Sequence, residues 1–308
     1  MKLGLFEALS GEPLEEGELA RRIGLDPYAA RRLLTASSAL RLTRKYSGNR
    51  WGLARLGAAV LSSPGLAAMV EHHAVLYRDL LDPLRLLKGQ QKTGLSSYWP
   101  YAGEQGLASG ESAVSDYTKL MAATLPAVAN EILDAVPLRR YKCLMDAGGG
   151  NGTFLTAAAA RAPNLELMLF ELPAVAALAR ERFREAGVLS RVRIFEGDMR
   201  RETLPKGADV IALIRIILDH ADGPALEILK SAKQALPPGG ALIVAEPMAE
   251  TAGAESVGAY FTLYLLAMGG GRPRTKQELK ALLKAAGFAA VQELDICQPL
   301  VTRILLAK

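Results

Sequence analysis

The sequence predicts an α/β fold: a Rossmann-like, mostly parallel sheet of seven strands, preceded by an N-terminal helical domain that reads as winged-helix-like. Three observations predict it. Apolar, strand-like runs near residues 142, 165, 192, 208, 240, 289 and 300 alternate with helical segments, as a sheet covered on both faces requires. The first run passes through Cys143 to Asp146 and into a glycine-rich turn at Gly148, Gly149, Gly150 and Gly152. The last two, 291–296 and 300–306, are separated only by Cys297, Gln298 and Pro299. That gap is too short for a parallel crossover, so the pair must be antiparallel.

The elements follow in order along the chain. Residues 13–23 have helical periodicity, and Gly24-Leu25-Asp26 breaks it. Asp26 is expected to cap a helix over 27–40 that has Pro27 at its first position. Residues 42–53 alternate around a Ser47-Gly48-Asn49 turn, which signals a hairpin. Helix, turn, helix and hairpin make a winged-helix arrangement, tinted basic by Arg31, Arg32, Arg41, Arg44, Lys45 and Arg50. Residues 66–136 read as a helical bridge interrupted by a loop over 94–110, rich in glycine, serine and aromatics. The predicted division is therefore 1–62, 63–138 and 139–308.

Composition narrows the class. The chain has 308 residues, 50% hydrophobic and 22% charged, a globular balance with ample core. A formal charge of +5 neither demands nor excludes an anionic partner. Cys143 and Cys297 form no disulfide framework and offer no metal spacing, so buried thiols in a reducing cytoplasm are expected. No run reaches the roughly 20 apolar residues of a membrane span, and the N-terminus has no secretory pattern. No internal repeat or low-complexity tract is visible.

The glycine turn indicates a ligand. A dinucleotide fingerprint would place its third glycine at 153, where the chain has Thr153; the glycines fall instead at 148, 150 and 152. That spacing, with Asp146 two positions ahead, resembles the S-adenosylmethionine (SAM) loop of class I methyltransferases. The next strands agree. One ends in Glu171, about 20 residues on, positioned to accept from both ribose hydroxyls. The next runs into Gly197-Asp198-Met199, where the carboxylate can accept from an adenine amino group while Met199 packs on the ring. Taken singly, Glu171 reads as a solvated strand end and Asp198 as a turn residue; their order along the chain favours SAM.

Nearly the whole length is similar to the two-domain O-methyltransferases, the plant caffeate type and its bacterial relatives. The matching stretches are Leu5 to Leu9, Asp146 to Gly152, Glu171-Leu172-Pro173, Gly197 to Met199, Leu236 to Gly240, Glu246-Pro247 and Gly271-Arg-Pro-Arg-Thr275. Glu71 to Tyr77, Tyr98 to Tyr101 and Tyr264 to Met268 resemble the bacterial hydroxyneurosporene (carotenoid) branch. The resemblance implies a seven-stranded class I methyltransferase sheet, SAM as cofactor with S-adenosylhomocysteine as product, and a hydrophobic small-molecule acceptor. Leu172 and Arg215 join the expected cofactor-binding residues. It also implies a homodimer through the N-terminal domain; the chain opens directly in Leu3-Gly4-Leu5-Phe6, so part of the family's intertwining arm is expected to be missing.

One motif departs from the family. Its base is a histidine followed by aspartate; aligned on Asp219 and Asp222, that position is Leu218. Of the two supporting acids, Glu246 matches one and Pro273 stands at the other. Asp219, Glu246 and His220 remain the candidate catalytic residues, with His220 either a displaced base or a packing residue. A thioether, an activated ring carbon or an acidic phenol needs only positioning, so C- or S-methylation stays open, as does SAM binding without transfer.

Tyr260, Tyr264 and Met268 share one helix face, with Phe261 beside it, and are candidate acceptor contacts, with plain core packing as the alternative; the resemblance implies that the bridge carrying Trp99, Tyr101 and Met121 roofs the acceptor, and Leu218 joins these candidates. His72 and His73 read as satisfied polar positions, and no metal is expected. A SAM-sensing DNA-binding regulator is a further class, opposed by the adjacency of Arg31 and Arg32; no nucleic-acid partner is expected.

Overall fold

The computed structural model describes residues 1–98 and 111–308. Two compact units divide the chain, Met1–Ala74 and Val75–Lys308.

The first unit contains α1 (Leu5–Ala8), β1 (Leu14–Glu15), α2 (Glu16–Arg22), α3 (Pro27–Ala39), β2 (Thr43–Tyr46), β3 (Arg50–Leu53), α4 (Arg55–Ser62) and the start of α5 (Pro64–Asp79). Leu5, Leu9, Leu19, Ile23, Leu34 and Trp51 form its core. Asp26 caps α3 as the sequence predicts, accepting from the N–H groups of Tyr28 at 2.9 Å and Ala29 at 3.0 Å. The hairpin β2–β3 forms around residues 47–49. The helix expected over 13–23 starts only at Glu16. Leu14 and Glu15 extend instead to pair with Trp51 and Arg50, and the Glu15 carboxylate caps α2 through the N–H of Gly17 at 2.9 Å.

The second unit continues with α6 (Pro83–Leu87), α7 (Gly94–Tyr98) and α8 (Glu111–Ala135). Part of the expected loop over 94–110 is thus helical. The Asp79 carboxylate accepts from the N–H groups of Gly94 at 2.7 Å and Leu95 at 2.9 Å, satisfying the donors that start α7, while Leu95 is fully buried.

All seven expected strands form: β4 (Cys143–Ala147), β5 (Glu166–Glu171), β6 (Val192–Glu196), β7 (Val210–Ile214), β8 (Ala241–Glu246), β9 (Val291–Leu294) and β10 (Arg303–Ala307). Their order is β6-β5-β4-β7-β8-β10-β9. The pairs from β6 through β8 are parallel, and β10 runs antiparallel to both β8 and β9. The last strand of the chain is therefore inserted between β8 and β9, not added at the sheet edge.

Every residue of β4, β7 and β8 is buried, as central strands covered on both faces must be. One face packs on α8, α9 (Thr153–Arg161) and α10 (Pro173–Glu185) through Ile132, Phe154 and Phe183. The other packs on α11 (Asp222–Ala235) and α13 (Lys276–Ala285) through Ile228, Leu229, Leu279 and Leu283. α12 (Glu255–Met268) lies in a smaller cluster with Leu76, Leu86 and Leu95. The chain winds outward from β4 to β6 and returns to β7. This reversal leaves a crevice beyond the carboxyl ends of the strands, where α/β sheets take ligands.

Candidate active site

A cavity opens at that crevice. Asp146, Gly148, Gly149, Gly150, Glu171, Leu172, Gly197, Asp198 and Met199 line it from the ends of β4, β5 and β6. Arg215, Asp219 and His220 line it from the segment after β7, and Met121 from α8. Sequence reasoning thus selected residues that converge in space. Gly152 is not on the wall. A Cβ there would lie 2.3 Å from the Phe183 ring, so this glycine lets α9 approach α10. At Gly150, φ is +59° and a Cβ would meet nothing within 4 Å, which leaves the loop backbone bare to the cavity.

Glu171 is the best-organised polar group. Its carboxylate accepts from the N–H of Gly150 at 2.8 Å and of Leu172 at 2.7 Å, binding the end of β5 to the glycine loop. Burial pushes its pKa up to about 7, against those two bonds. Burial, and then the charge of Glu171, push Asp146 up to about 8. Two acids in one pocket resist simultaneous ionisation.

Asp198 is engaged more fully than its sequence position suggests. Its carboxylate accepts from the Arg200 Nε at 3.1 Å, the terminal guanidinium nitrogen at 2.9 Å and the Arg200 backbone N–H at 3.0 Å. Burial alone would raise its pKa, but the Arg200 bonds and charge outweigh it and leave the group below the usual range. The Arg215 guanidinium turns to α8, donating to the Thr124 hydroxyl at 2.8 Å and the Thr124 carbonyl at 3.2 Å.

Beyond β7, the candidate catalytic residues separate. The His220 ring lines the cavity; burial pushes it down to about 4, helped by the charges of Arg200 and Arg274 and opposed by Asp198. At neutral pH it is uncharged and a weak base. Leu218 is buried with Tyr264, Leu265 and Met268, and Tyr260 and Phe261 pack around them. Tyr260 contacts Phe261 edge-on at 5.0 Å and Tyr264 at 5.4 Å. Tyr117 joins the two regions, lining the cavity and packing against this cluster. Trp99 and Tyr101 lie outside the described residues.

Glu246, fully buried at the end of β8, is not a cavity wall. Its Oε2 accepts from the Leu218 N–H at 3.0 Å, and Oε1 has no hydrogen-bond partner among the described residues. Burial pushes Glu246 up to about 7, against the positive charge of Arg274 and the nearby backbone donors. Asp219 is raised well above the ordinary carboxylate value by burial and by Glu246, with Arg215 opposing.

The O-methyltransferase domain family matches residues 77–289, more than half of the chain. The chain belongs to this family. It is a SAM-dependent methyltransferase with the two-domain fold. The methyltransferase is 38% identical over 308 residues to demethylspheroidene O-methyltransferase of Cereibacter sphaeroides, covering 100% of this chain and 81% of the relative. It is 39% identical over 306 residues to the enzyme of that name from Rhodobacter capsulatus, covering 99% and 76%. Human N-acetylserotonin methyltransferase in complex with SAM superposes with a TM-score of 0.81 over 99% of this chain and 90% of the human one, at 22% identity, which shows the shared fold.

Several residues of the methyltransferase escaped the sequence reading. Arg200 follows the Gly197-Asp-Met199 motif by one position, and that adjacency was the available signal. Tyr117 and Thr124 lie on a helix whose periodicity does not distinguish a cavity face. Arg274 sits in the Gly271-Arg-Pro-Arg-Thr275 stretch, and no local pattern signals what it touches. Among the described residues, no group of three or more His, Cys, Asp or Glu is placed to hold a metal ion, and no helix is long and apolar enough to cross a membrane.

Proposed function

We propose that the chain methylates a hydroxyl oxygen of a hydrophobic, carotenoid-like small molecule. The observation that carries this reading is the likeness over essentially the whole chain to two enzymes named for demethylspheroidene O-methylation. An apolar acceptor region suits it: Leu218, Tyr264 and Met268 are buried together, with Tyr260 and Phe261 beside them, and Tyr117 links them to the cavity.

The residues present fit SAM. Glu171 has two carboxylate oxygens already oriented by backbone donors, with lone pairs left for the ribose hydroxyls. Gly148, Gly149 and Gly150 give a side-chain-free surface; Asp146 and Leu172 line the same cavity. Gly197 and Met199 border the adenine end, where Asp198 would share its oxygens between Arg200 and the base. Arg215, tied to Thr124, braces α8 against this wall. When bound, the sulfonium supplies an activated methyl group.

The chain contributes positioning and exclusion of water. The acceptor oxygen gains the methyl and loses its proton. Leu218 cannot take that proton, and His220 is a weak base. Asp219 lines the cavity beside His220, and in its ionised form its carboxylate takes the proton. Glu246 supports the step by holding the Leu218 N–H. Alignment of the reacting atoms contributes more than this weak base catalysis.

In this reading the N-terminal portion, 1–62, is a winged-helix-like scaffold for a homodimer, 63–138 a bridge roofing the acceptor and 139–308 the SAM domain. Exposed apolar side chains at Tyr28, Leu40, Leu56 and Leu66 suit a covered interface, which sedimentation at several protein concentrations tests. Cys143 is buried as expected but Cys297 is exposed, since it lies beyond the end of β9; both thiols are free, which suits a reducing cytoplasm. Turnover of methyl-labelled SAM with hydroxylated carotenoid, phenol, thioether and tetrapyrrole acceptors tests the function. Label in the hydroxylated carotenoid is expected. Label only in a thioether or ring carbon overturns the oxygen assignment; tight SAM binding with no transfer overturns the enzyme reading.

A further inference from the structure

The segment after β7 has no ladder to hold it. The turn's own bonds, from the Asp219 N–H to the Ile216 carbonyl at 3.1 Å and from the His220 N–H to the Ile217 carbonyl at 3.3 Å, are few, and the carbonyls of Ile217, Leu218 and His220 also take donors from elsewhere, since a buried peptide oxygen without one costs free energy. All three find donors in a single stretch some fifty residues later. Arg274 donates to the Ile217 carbonyl at 2.7 Å and to the His220 carbonyl at 2.7 Å, and the Arg272 N–H donates to the Leu218 carbonyl at 2.9 Å. The Arg274 Nε completes the set on Asp222 Oδ1 at 2.9 Å. Arg274 is fully buried, whereas Asp222 is largely exposed.

The stretch is itself braced. The Arg274 carbonyl accepts from the Ala249 N–H at 2.9 Å, just beyond β8, and Thr275 begins α13 with a capping box. Contact is close enough to exclude a side chain: a Cβ on Gly271, where φ is +73°, would lie 2.0 Å from the Leu218 carbonyl oxygen. A guanidinium reaches three divergent acceptors because its donors are fixed in a planar fork; an ammonium on a flexible stem does not reproduce them.

We infer that Arg274 is a positioning residue for the transfer reaction: its buried guanidinium joins Ile217, His220 and Asp222 into one rigid turn and so holds Asp219 and His220 against the cavity. The inference rests on the methyl-transfer reading of that cavity. Arg274 touches none of the cofactor-side residues in its bonds, so its loss acts on the turn and not on the glycine loop.

The test compares R274Q, R274K and D222N with the unaltered full chain. Circular dichroism and thermal melting establish folding, and calorimetry gives SAM affinity. Two further readouts distinguish a positioning role from a merely structural one. The first is the split of kcat against KM: R274Q is expected to lower kcat by about tenfold or more, with SAM affinity within about threefold, because a slightly misplaced site loses mainly turnover. R274K should recover part of that loss, and D222N should show a smaller loss of the same sign.

The second readout is the His220 ring titration by NMR, assigned with H220N among the three histidines. The charged groups acting on that ring are Arg200, Arg274 and Asp198. Its value, about 4, should rise in R274Q as one cation leaves, and also in R274K, where the charge is kept and only the opened turn can move it, while His72 and His73 stay in place. A folded variant with unchanged kcat or an unchanged His220 titration overturns the proposal. If R274Q does not fold, R274K and D222N decide by the same criteria. An unaltered chain that transfers no methyl defeats the functional reading, and the His220 titration then still decides whether Arg274 holds the turn.

Discussion

Two walls face each other across the cavity, and they are held in different ways. The wall at the ends of β4, β5 and β6 supports itself: Glu171 accepts from Gly150 and Leu172, and the glycine loop runs from β4 directly into the first turn of α9. The wall after β7 depends on Arg274, Arg272 and Glu246, which lie between 28 and 57 residues from the positions they hold. Under the proposed function, the difference teaches that cofactor geometry is local to this fold, whereas catalytic geometry is assembled from afar. A side chain such as Leu218 can therefore depart from the family pattern without disturbing the cofactor wall.

The sharpest way to break this comparison is at Gly150. A valine there faces both a positive φ and a cavity that the ligand must share. G150V is expected to weaken SAM binding by about 100-fold or more, roughly 3 kcal/mol, while the strain at positive φ lowers thermal melting by only a few degrees. Calorimetry checks it, and wild-type affinity would show that the loop is not the cofactor surface.

Glu171 comes next. Replacing it with glutamine removes a charged acceptor of two ribose hydroxyls, and loss of about 10- to 100-fold in SAM affinity is expected. The pH dependence sharpens the point. With its value near 7 in the free protein, Glu171 is partly protonated at neutral pH and offers fewer acceptors. SAM affinity should therefore rise as pH increases through about 7, with proton release on binding. In E171Q that slope should shrink to what Asp146 retains.

The same contrast explains what the sequence disclosed. Asp146, Gly148, Gly149, Gly150, Glu171 and Asp198 were legible as cavity positions because each lies at or just beyond the end of a strand whose apolar run is visible, and a strand end fixes where a side chain goes. The seven strands were legible for the same reason. Position of β10 between β8 and β9 was not, since pairing order depends on which edge is open and not on any local pattern. Glu15 and Asp79 were missed as caps because each acts on backbone whose conformation the other partner decides: Leu14–Glu15 extends only because β3 is beside it, and Asp79 caps a helix beginning at Gly94. Arg274 was invisible because its carbonyl partners lie across more than fifty residues.

A smaller effect tests the catalytic wall. The resemblance implies that Leu218 stands where the family carries its base, and it is buried among apolar side chains. L218H is expected to raise transfer to a phenol by about tenfold, below the usual 10²- to 10⁴-fold of general base catalysis, because burial disfavours the imidazolium that must form. No gain at any pH would mean that the acceptor oxygen does not approach this position.

The smallest effect lies in the stability of the SAM-free protein, and it distinguishes the two walls by ligand response. Asp146, Glu171 and Glu246 have folded-state values near 8, 7 and 7, above their ordinary carboxylate values. A carboxyl raised in this way favours the folded state most below its unfolded pKa, and that contribution is lost as pH rises through the folded value. Asp222 and Asp198 are lowered and act oppositely, losing their contribution as pH falls. The melting temperature should thus decline by about 3 °C or more from about pH 5 to about pH 9. SAM should flatten the part of that decline due to Glu171 and Asp146, since its hydroxyl donors and positive charge favour the ionised acids, and should leave the part due to Glu246. A decline that SAM leaves wholly unchanged would remove Glu171 from the cofactor wall, whereas one abolished entirely would mean that Glu246 also responds to the cofactor and that the two walls are coupled.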